Sequence, residues 1–209
     1  MSNYVISISR EFGSGGRELG KRLADELGFD YYDREIITAI ASARGMDEGY
    51  VEKALENHAW QNIPLTYGGA FASTAVFQMP QMELLVEQRR VIDGIAKAGK
   101  DCVIVGRDAD ILLAEQNPLT LFVCADTEAK VRRCVERAAE GENLTTRAIE
   151  QKMRQIDKAR ARSREMLSDS RWGHAGSYHL TINTSSWQIR ELAPVIANFA
   201  RSWFARSGQ

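Results

Sequence analysis

The chain has 209 residues, of which 44% are hydrophobic and 26% charged, and its formal net charge is −1. That length suits one substantial core with inserted lobes, and the composition is ordinary for a globular enzyme. The charge balance argues against a strongly basic nucleic-acid binder, and no stretch approaches the ~20 apolar residues of a membrane-spanning helix.

The charge is unevenly spread. Lys130–Arg171 holds 12 Lys and Arg against 7 Asp and Glu, a local net of +5. Such a segment either meets an anion or forms a solvated, salt-bridged helix face. Cys102, Cys124 and Cys134 form no CxxC pair and read as free thiols of a reducing compartment. The first residues carry no basic-then-apolar signal, so the expected location is the cytoplasm.

In chain order, Tyr4–Ser9 alternates apolar and small residues and reads as a strand. Leu19, Leu23, Ala24 and Leu27 repeat at helical spacing, and Gly28 is a helix stop. "FDYYD" is a short second strand. Asp33 then caps a helix over Arg34–Ala43, and Asp47–His58 is another helix. Trp60–Pro80, with two prolines and a Gly-Gly pair, reads as a loop or lobe. Met82–Lys97 returns to helix. "CVIVG" and "LTLFVCA" are continuous apolar runs of buried parallel strands. Thr127–Glu140, capped by Asp126, and Thr145–Asp169 are helices. "YHLTIN" is the last strand, and Gln188–Ala205 closes the chain as an amphipathic helix.

Strands alternating with helices imply an α/β fold, a mostly parallel central sheet of about five strands covered on both faces. Ligands then sit beyond the carboxyl ends of the strands. Those ends carry Ser9-Arg10, Asp33, Gly106-Arg107-Asp108 and Ala125-Asp126.

The glycine-rich stretch after the first strand admits three readings. As a dinucleotide turn it has Gly13 and Gly15, with Asp33 near the place of the ribose-binding acid, but Glu18 stands where the third glycine belongs. A literal GxxxxGK runs from Gly15 to Lys21, but the leucine stripe puts Lys21 on the flank of a helix already under way. A phosphate loop must precede its helix, because free N–H groups and the helix dipole hold the anion. The third reading sets the loop at Arg10–Gly16. Gly16 then occupies the lysine slot and Glu18 the Ser/Thr slot, while Arg17 supplies the missing cation. Glu18 either coordinates Mg²⁺, directly or through water, or is a first-turn acid paired with the dipole. A turn that binds nothing is the remaining alternative.

"ISISREFGSGGRELGKRLADELG", "YYDREII", "VIVGRDADILL" and "WGHAGSYHLTINTS" resemble the cytidylate kinase-like family of P-loop proteins. The resemblance implies a three-layer P-loop fold over residues 1–209, with an acceptor-side lobe over residues 34–98 and an Arg-rich lid over residues 137–171. It implies ATP with Mg²⁺ as cofactor and a nucleoside monophosphate as acceptor. Gly13, Ser14, Gly15, Gly16, Arg17 and Glu18 would hold the ATP phosphates, with Glu18 toward the metal. Gly106-Arg107-Asp108 resembles the GRD whose arginine grips the acceptor phosphate. Asp157, Arg160 and Arg162 resemble the lid's Asp/Arg cluster.

In the mechanism this implies, Arg17 replaces the loop lysine, and Arg160 and Arg162 close with Arg137 or Arg154. Asp33 or Asp108 would orient a Mg²⁺-bound water or an acceptor hydroxyl. Each acid also has a structural role open to it: Asp33 as a helix cap, Asp108 as partner to Arg107 or cap of the next short helix. The chain departs from the family at Gly16 and Glu18, and at Arg34, where a small residue is usual. A catalytically weak or inactive nucleotide sensor is therefore the alternative function. Neither a membrane nor a nucleic acid is an expected partner, since the Arg-rich helix lacks interleaved aromatics for base stacking.

Overall fold

The computed structural model describes residues 3–51, 71–138 and 145–207. Strand β1 (Val5–Arg10) shows no burial alternation, because Val5 to Ser9 are all buried. A strand covered on both faces needs none. β1 is the centre of a five-stranded sheet with β2 (Asp30–Tyr32), β3 (Cys102–Val105), β4 (Leu119–Cys124) and β5 (Leu180–Asn183). The order is β2-β3-β1-β4-β5 and every pairing is parallel. Ile6 pairs with Val103 on one side and Leu119 on the other.

Strand periodicity sorts the core into two clusters. Ile6, Ile8, Val103, Val105, Leu119 and Leu121 pack under α1 (Gly16–Leu27) and α7 (Ile189–Ser207). Val5, Cys102 and Ile104 pack on the opposite face under α2 (Arg34–Arg44) and α3 (Phe71–Lys97). These are the expected three layers. The short α4 (Ala109–Leu112) follows β3, α5 (Thr127–Glu136) follows β4, and α6 (Thr146–Leu167) precedes β5. The connection that leaves β1 runs toward one edge of the sheet, to β2, and the one that leaves its neighbour β3 runs toward the other, to β4. The carboxyl end of β1 is thus a switch point, where such sheets open a crevice.

Expected boundaries hold to within a few residues, with two differences. Asp126 does cap α5, accepting from Ala129 N–H at 2.7 Å. Asp33 does not cap α2; its side chain pairs with Arg10 and Arg17 instead, and Glu35 accepts the Asp33 N–H at 2.9 Å. The helix expected from Met82 begins at Phe71, so Pro80 lies inside it. Proline bends a helix rather than forbidding it when neighbours compensate, and Ala and Met around it favour helix. The rest of the expected 60–80 loop lies outside the described residues. So does most of Asp47–His58, which is helical over 48–51. Among the described residues no helix is long and apolar enough to cross a membrane. Cys102, Cys124 and Cys134 are free.

A buried ion pair fastens α6 to α4, the short helix that follows β3. Arg164 Nη1 lies 2.6 Å from Asp110 Oδ2, with the two side chains 3% and 4% exposed. Arg164 also donates to Ser170 Oγ and stacks over the Tyr178 ring. Breaking such a pair on one side strands a charge in low dielectric. Asp110→Ala is expected to lower unfolding free energy by about 3 kcal/mol, and adding Arg164→Met to recover much of it, as read by urea titration.

Candidate active site

The turn between β1 and α1 is shaped by what its backbone carries. Gly13 and Gly15 have φ of 76° and 84°, the left-handed region that glycine enters without strain. Both are also packed from behind. A Cβ on Gly13 would lie 3.1 Å from Lys130 O, and one on Gly15 2.7 Å from Ile189 Cδ1. The Ser14 carbonyl is pinned inward, accepting from Thr184 Oγ1 at 2.6 Å and Arg133 Nη1 at 3.2 Å. In a trans peptide N–H and C=O point opposite ways, so the Gly15 N–H is turned away from Thr184. The first turn of α1 adds the N–H groups of Gly16, Arg17 and Glu18, which no helix start can satisfy internally. The result is an anion cradle at a helix N-terminus. Ser14 contributes backbone only, since its hydroxyl donates to Glu11 O at 2.9 Å.

Arg133 is committed to this support. Besides Ser14 O it donates to Thr184 Oγ1, Thr184 O and Trp187 O. Arg137, one turn on, instead pairs with Glu18, whose other oxygen pairs with Arg22 at 2.9 Å. Lys21 pairs with Asp25 at 2.7 Å on the exposed flank of α1, so it has no part in the cradle, as the leucine stripe implied.

A second group gathers at the carboxyl ends of β2 and β3. Gly106, Arg107 and Asp108 are three successive residues with positive φ, of 76°, 61° and 51°. Non-glycine residues there carry strain of about 1–3 kcal/mol each, which persists where the surroundings over-determine it. Gln88 holds the turn by donating to Arg107 O at 3.3 Å. Asp33 sits 3% exposed between two arginines, paired with Arg17 and 3.7 Å from Arg10.

Helix α6 closes over both groups. Asp157 Oδ1 accepts from Phe12 N–H at 2.7 Å, and Arg160 Nη1 donates to Arg10 O at 2.9 Å. Ser163 Oγ donates to Asp108 Oδ2 at 2.6 Å. Two cavities result. One of about 600 Å³ is lined by Gly13, Gly15, Gly16, Arg17, Arg137 and Lys152 among others. One of about 60 Å³ is lined by Ser9, Arg107, Asp108, Gln88, Ser163 and Trp172 among others. Arg10, Ile156 and Arg160 line both, so the cavities meet there.

Most of the residues expected at the site therefore converge: Gly13–Glu18 on the larger cavity side, Arg107 and Asp108 on the smaller, and Arg160 at their junction, while Asp157 lines neither and grips Phe12 N–H beside the loop. Arg162 is half-buried on α6 and lines neither cavity. Arg154 pairs with Glu150 on the outer side of α6. Sequence reasoning missed three residues: Arg10, Thr184 and Ser163. Arg10 was visible as a strand-end arginine. Thr184 and Ser163 gave no signal, because a lone hydroxyl reveals its partner only after folding.

No group of three His, Cys, Asp or Glu able to hold a metal occurs among the described residues. Magnesium needs only one or two protein carboxylates when phosphates supply the rest. Two are near the cradle. Glu18 is held by Arg22 and Arg137, and Asp33 keeps a buried Oδ1 without a hydrogen bond.

The electrostatics follow from burial. Burial raises the Asp108 carboxyl above its ordinary value, opposed by the Ser163 hydrogen bond. Burial likewise raises Asp157, opposed by Phe12 N–H and Arg160. Burial, then the nearby Arg160, pull Arg10 well below the ordinary arginine value, to about 9, and Asp33 opposes this.

A parallel 2-3-1-4-5 sheet with a glycine cradle after its first strand and an arginine-bearing helix closing above it is a P-loop kinase-type architecture. The chain belongs to the cytidylate kinase-like family, which matches residues 5–186. It is 28% identical over 141 residues to the cytidylate kinase of Paramagnetospirillum magneticum (strain ATCC 700264 / AMB-1), across 62% of this chain and 67% of that one. Among solved structures it is similar to an uncharacterized protein from Eubacterium ventriosum ATCC 27560 (TM-score 0.68, 21% identity, 96% of this chain and 99% of that one). It is also similar to the shikimate kinase of Acinetobacter baumannii in complex with shikimate (TM-score 0.55, 17% identity, 96% and 94%). These structural likenesses establish the fold.

Asp108 yields a pH prediction. An acid raised in the folded state favours folding below its unfolded value of 3.8, and that contribution is lost as pH rises through the folded value. Asp108→Asn keeps an acceptor for Ser163 and tolerates the left-handed backbone. It is expected to raise the melting temperature near neutral pH and to flatten its fall over the range from acid to neutral pH. Thermal melts of both proteins across that range are the check.

Proposed function

We propose that this chain transfers the γ-phosphoryl group of ATP to a small phosphate-bearing acceptor, a nucleoside monophosphate, through its variant phosphate loop. Family and fold support ATP-dependent phosphoryl transfer in general. The observation that carries this is the junction of the two cavities at Arg10 and Arg160, with the cradle on one side and Gly106-Arg107-Asp108 on the other. Phosphoryl transfer asks little covalent help of a protein; it asks for alignment and for cations around the moving charge.

In this reading the Gly13–Glu18 backbone binds the phosphate chain and Arg107 holds the acceptor phosphate. Arg160, on α6 as a lid, faces the junction and excludes water, with Arg162 behind it. Arg17 and Asp33 fix each other at the edge of the cradle. A divalent ion would neutralise charge on the phosphate chain when bound. Asp33 would hold it, and so would Glu18 once Arg137 exchanges it for phosphate. Asp157 positions the lid by gripping Phe12 N–H. The acceptor oxygen bonds to the γ-phosphorus while the bond from that phosphorus to the bridging oxygen breaks, and its electron pair leaves with ADP. An ionised phosphate acceptor brings no proton to remove. A nucleotide sensor without turnover is the second reading, favoured by the missing lysine at Gly16.

A coupled ADP-release assay over a panel of nucleoside monophosphates separates these. Turnover with at least one acceptor is expected; ATP binding with no turnover on any of them supports the sensor. With a working acceptor, Arg107→Ala is expected to raise acceptor KM about tenfold or more while ATP affinity changes by less than about twofold. Loss of ATP binding instead would show the acceptor role of Arg107 to be wrong.

A further inference from the structure

We propose that Arg10 is a catalytic residue whose guanidinium contacts the transferring phosphoryl group, in place of the lysine that Gly16 leaves out of the loop. This rests on the phosphotransferase reading above. In a GxxxxGK loop the glycine opens the turn and the cation ends it. Here Arg10 opens the same interval and Gly15-Gly16 ends it, so glycine and cation have changed places. Packing shows why the exchange is concerted. A Cβ on Gly16 would lie 2.6 Å from Arg10 Cβ and 3.1 Å from its Cγ. A side chain at 16 and a side chain at 10 compete for one space.

The guanidinium of Arg10 then crosses from β1 toward the end of β3. A Cβ on Gly106 would lie 1.6 Å from Arg10 Nη1, so Gly106 is the gap through which the arginine passes. The side chain is 11% exposed and lines both cavities. Arg17, Arg107 and Arg160 all act on it as like charges, against Asp33 as the opposing carboxylate. An arginine keeps its proton at neutral pH, so this crowding is a cost that a bound anion relieves. Arg160 is tied to the same residue through Arg10 O, so one residue sets both cations at the junction.

Arg17 is less suited to the part. Its side chain is 58% exposed, is bound to Asp33 and lines only the larger cavity. As the acceptor oxygen bonds to phosphorus and the bridging oxygen departs with its electron pair on ADP, the Arg10 fork donates to the oxygens in flight. It gives up no proton.

The test is an exchange experiment on the full chain, with ATP·Mg²⁺ and ADP·Mg²⁺ binding measured by calorimetry beside ADP release and melting temperature. Arg10→Gly is expected to weaken ATP binding about tenfold or more and ADP binding less than about threefold, because the lost contact is to the γ-phosphoryl group. Gly16→Lys alone is expected to lower the melting temperature, since its Cβ meets Arg10 Cβ. The pair Arg10→Gly with Gly16→Lys is expected to recover ATP affinity, whereas Arg10→Ala with Gly16→Lys keeps the obstructing Cβ and does not. Arg10→Lys covers the case in which the exchanged pair does not fold, and is expected to bind ATP more tightly than Arg10→Gly. The proposal is overturned if folded Arg10→Gly binds ATP like the parent. It is equally overturned if Arg17→Ala produces the ATP-selective loss instead, or if a folded exchange pair is no better than Arg10→Gly. A parent that binds neither nucleotide overturns the phosphotransferase reading itself, and this proposal with it.

Discussion

The site depends on one backbone carbonyl being held the wrong way round for solvent. Ser14 O is drawn inward by Thr184 and Arg133, and Gly13 and Gly15 accept the resulting backbone twist. That single orientation turns the following N–H groups outward at the start of α1. Thr184 follows directly on β5, Arg133 lies on α5 and Ser14 follows β1, so three segments far apart in sequence must come together before the cradle exists. The geometry is a product of the finished sheet and not of the glycine motif alone. This explains why α7, which follows the Thr184–Trp187 turn, packs directly behind the loop through Ile189.

Around this cradle the chain concentrates positive charge at a cost to itself. Arg10, Arg17, Arg107 and Arg160 share a neighbourhood in which Asp33 is a buried carboxylate. Part of the compensation comes from the protein's own acids acting where a phosphate would act. Asp157 takes the Phe12 N–H, and Glu18 takes Arg137. The first contact holds α6 against the loop, and the second ties the end of α5 to the start of α1. The buried Arg164–Asp110 pair is of another kind: it sits two turns along α6 from Asp157, lines neither cavity, and anchors the helix. Local mobility at one end of α6 is thereby compatible with a fixed other end.

The sheet was largely legible, because Val5–Ser9, Cys102–Val105 and Leu119–Cys124 are apolar or small throughout and no amphipathic helix reads that way. The placement of α1 was legible for a related reason: Leu19 and Leu23 fix where it faces the core, and so put Lys21 on its exposed flank. The helical part of 60–80 was not, because proline and aromatic residues masked a helix-forming run. The Asp33 cap was misread because an acid before a helix usually caps it; here two arginines, brought by β1 and α1, compete successfully for the carboxylate. Arg10 could be placed at a strand end but not given a direction, since its path depends on the absence of side chains at Gly16 and Gly106, far away in sequence from each other.

The most direct measurement is a crystal structure with Mg²⁺ and a non-hydrolysable ATP analogue. The account predicts the β-phosphate on the N–H groups of Gly15–Arg17 and the γ-phosphoryl oxygens within hydrogen-bond reach of Arg10 and Arg160. A phosphate chain seated at Lys21, or a γ-phosphoryl group held by Arg17 with Arg10 still turned toward Gly106, would contradict it.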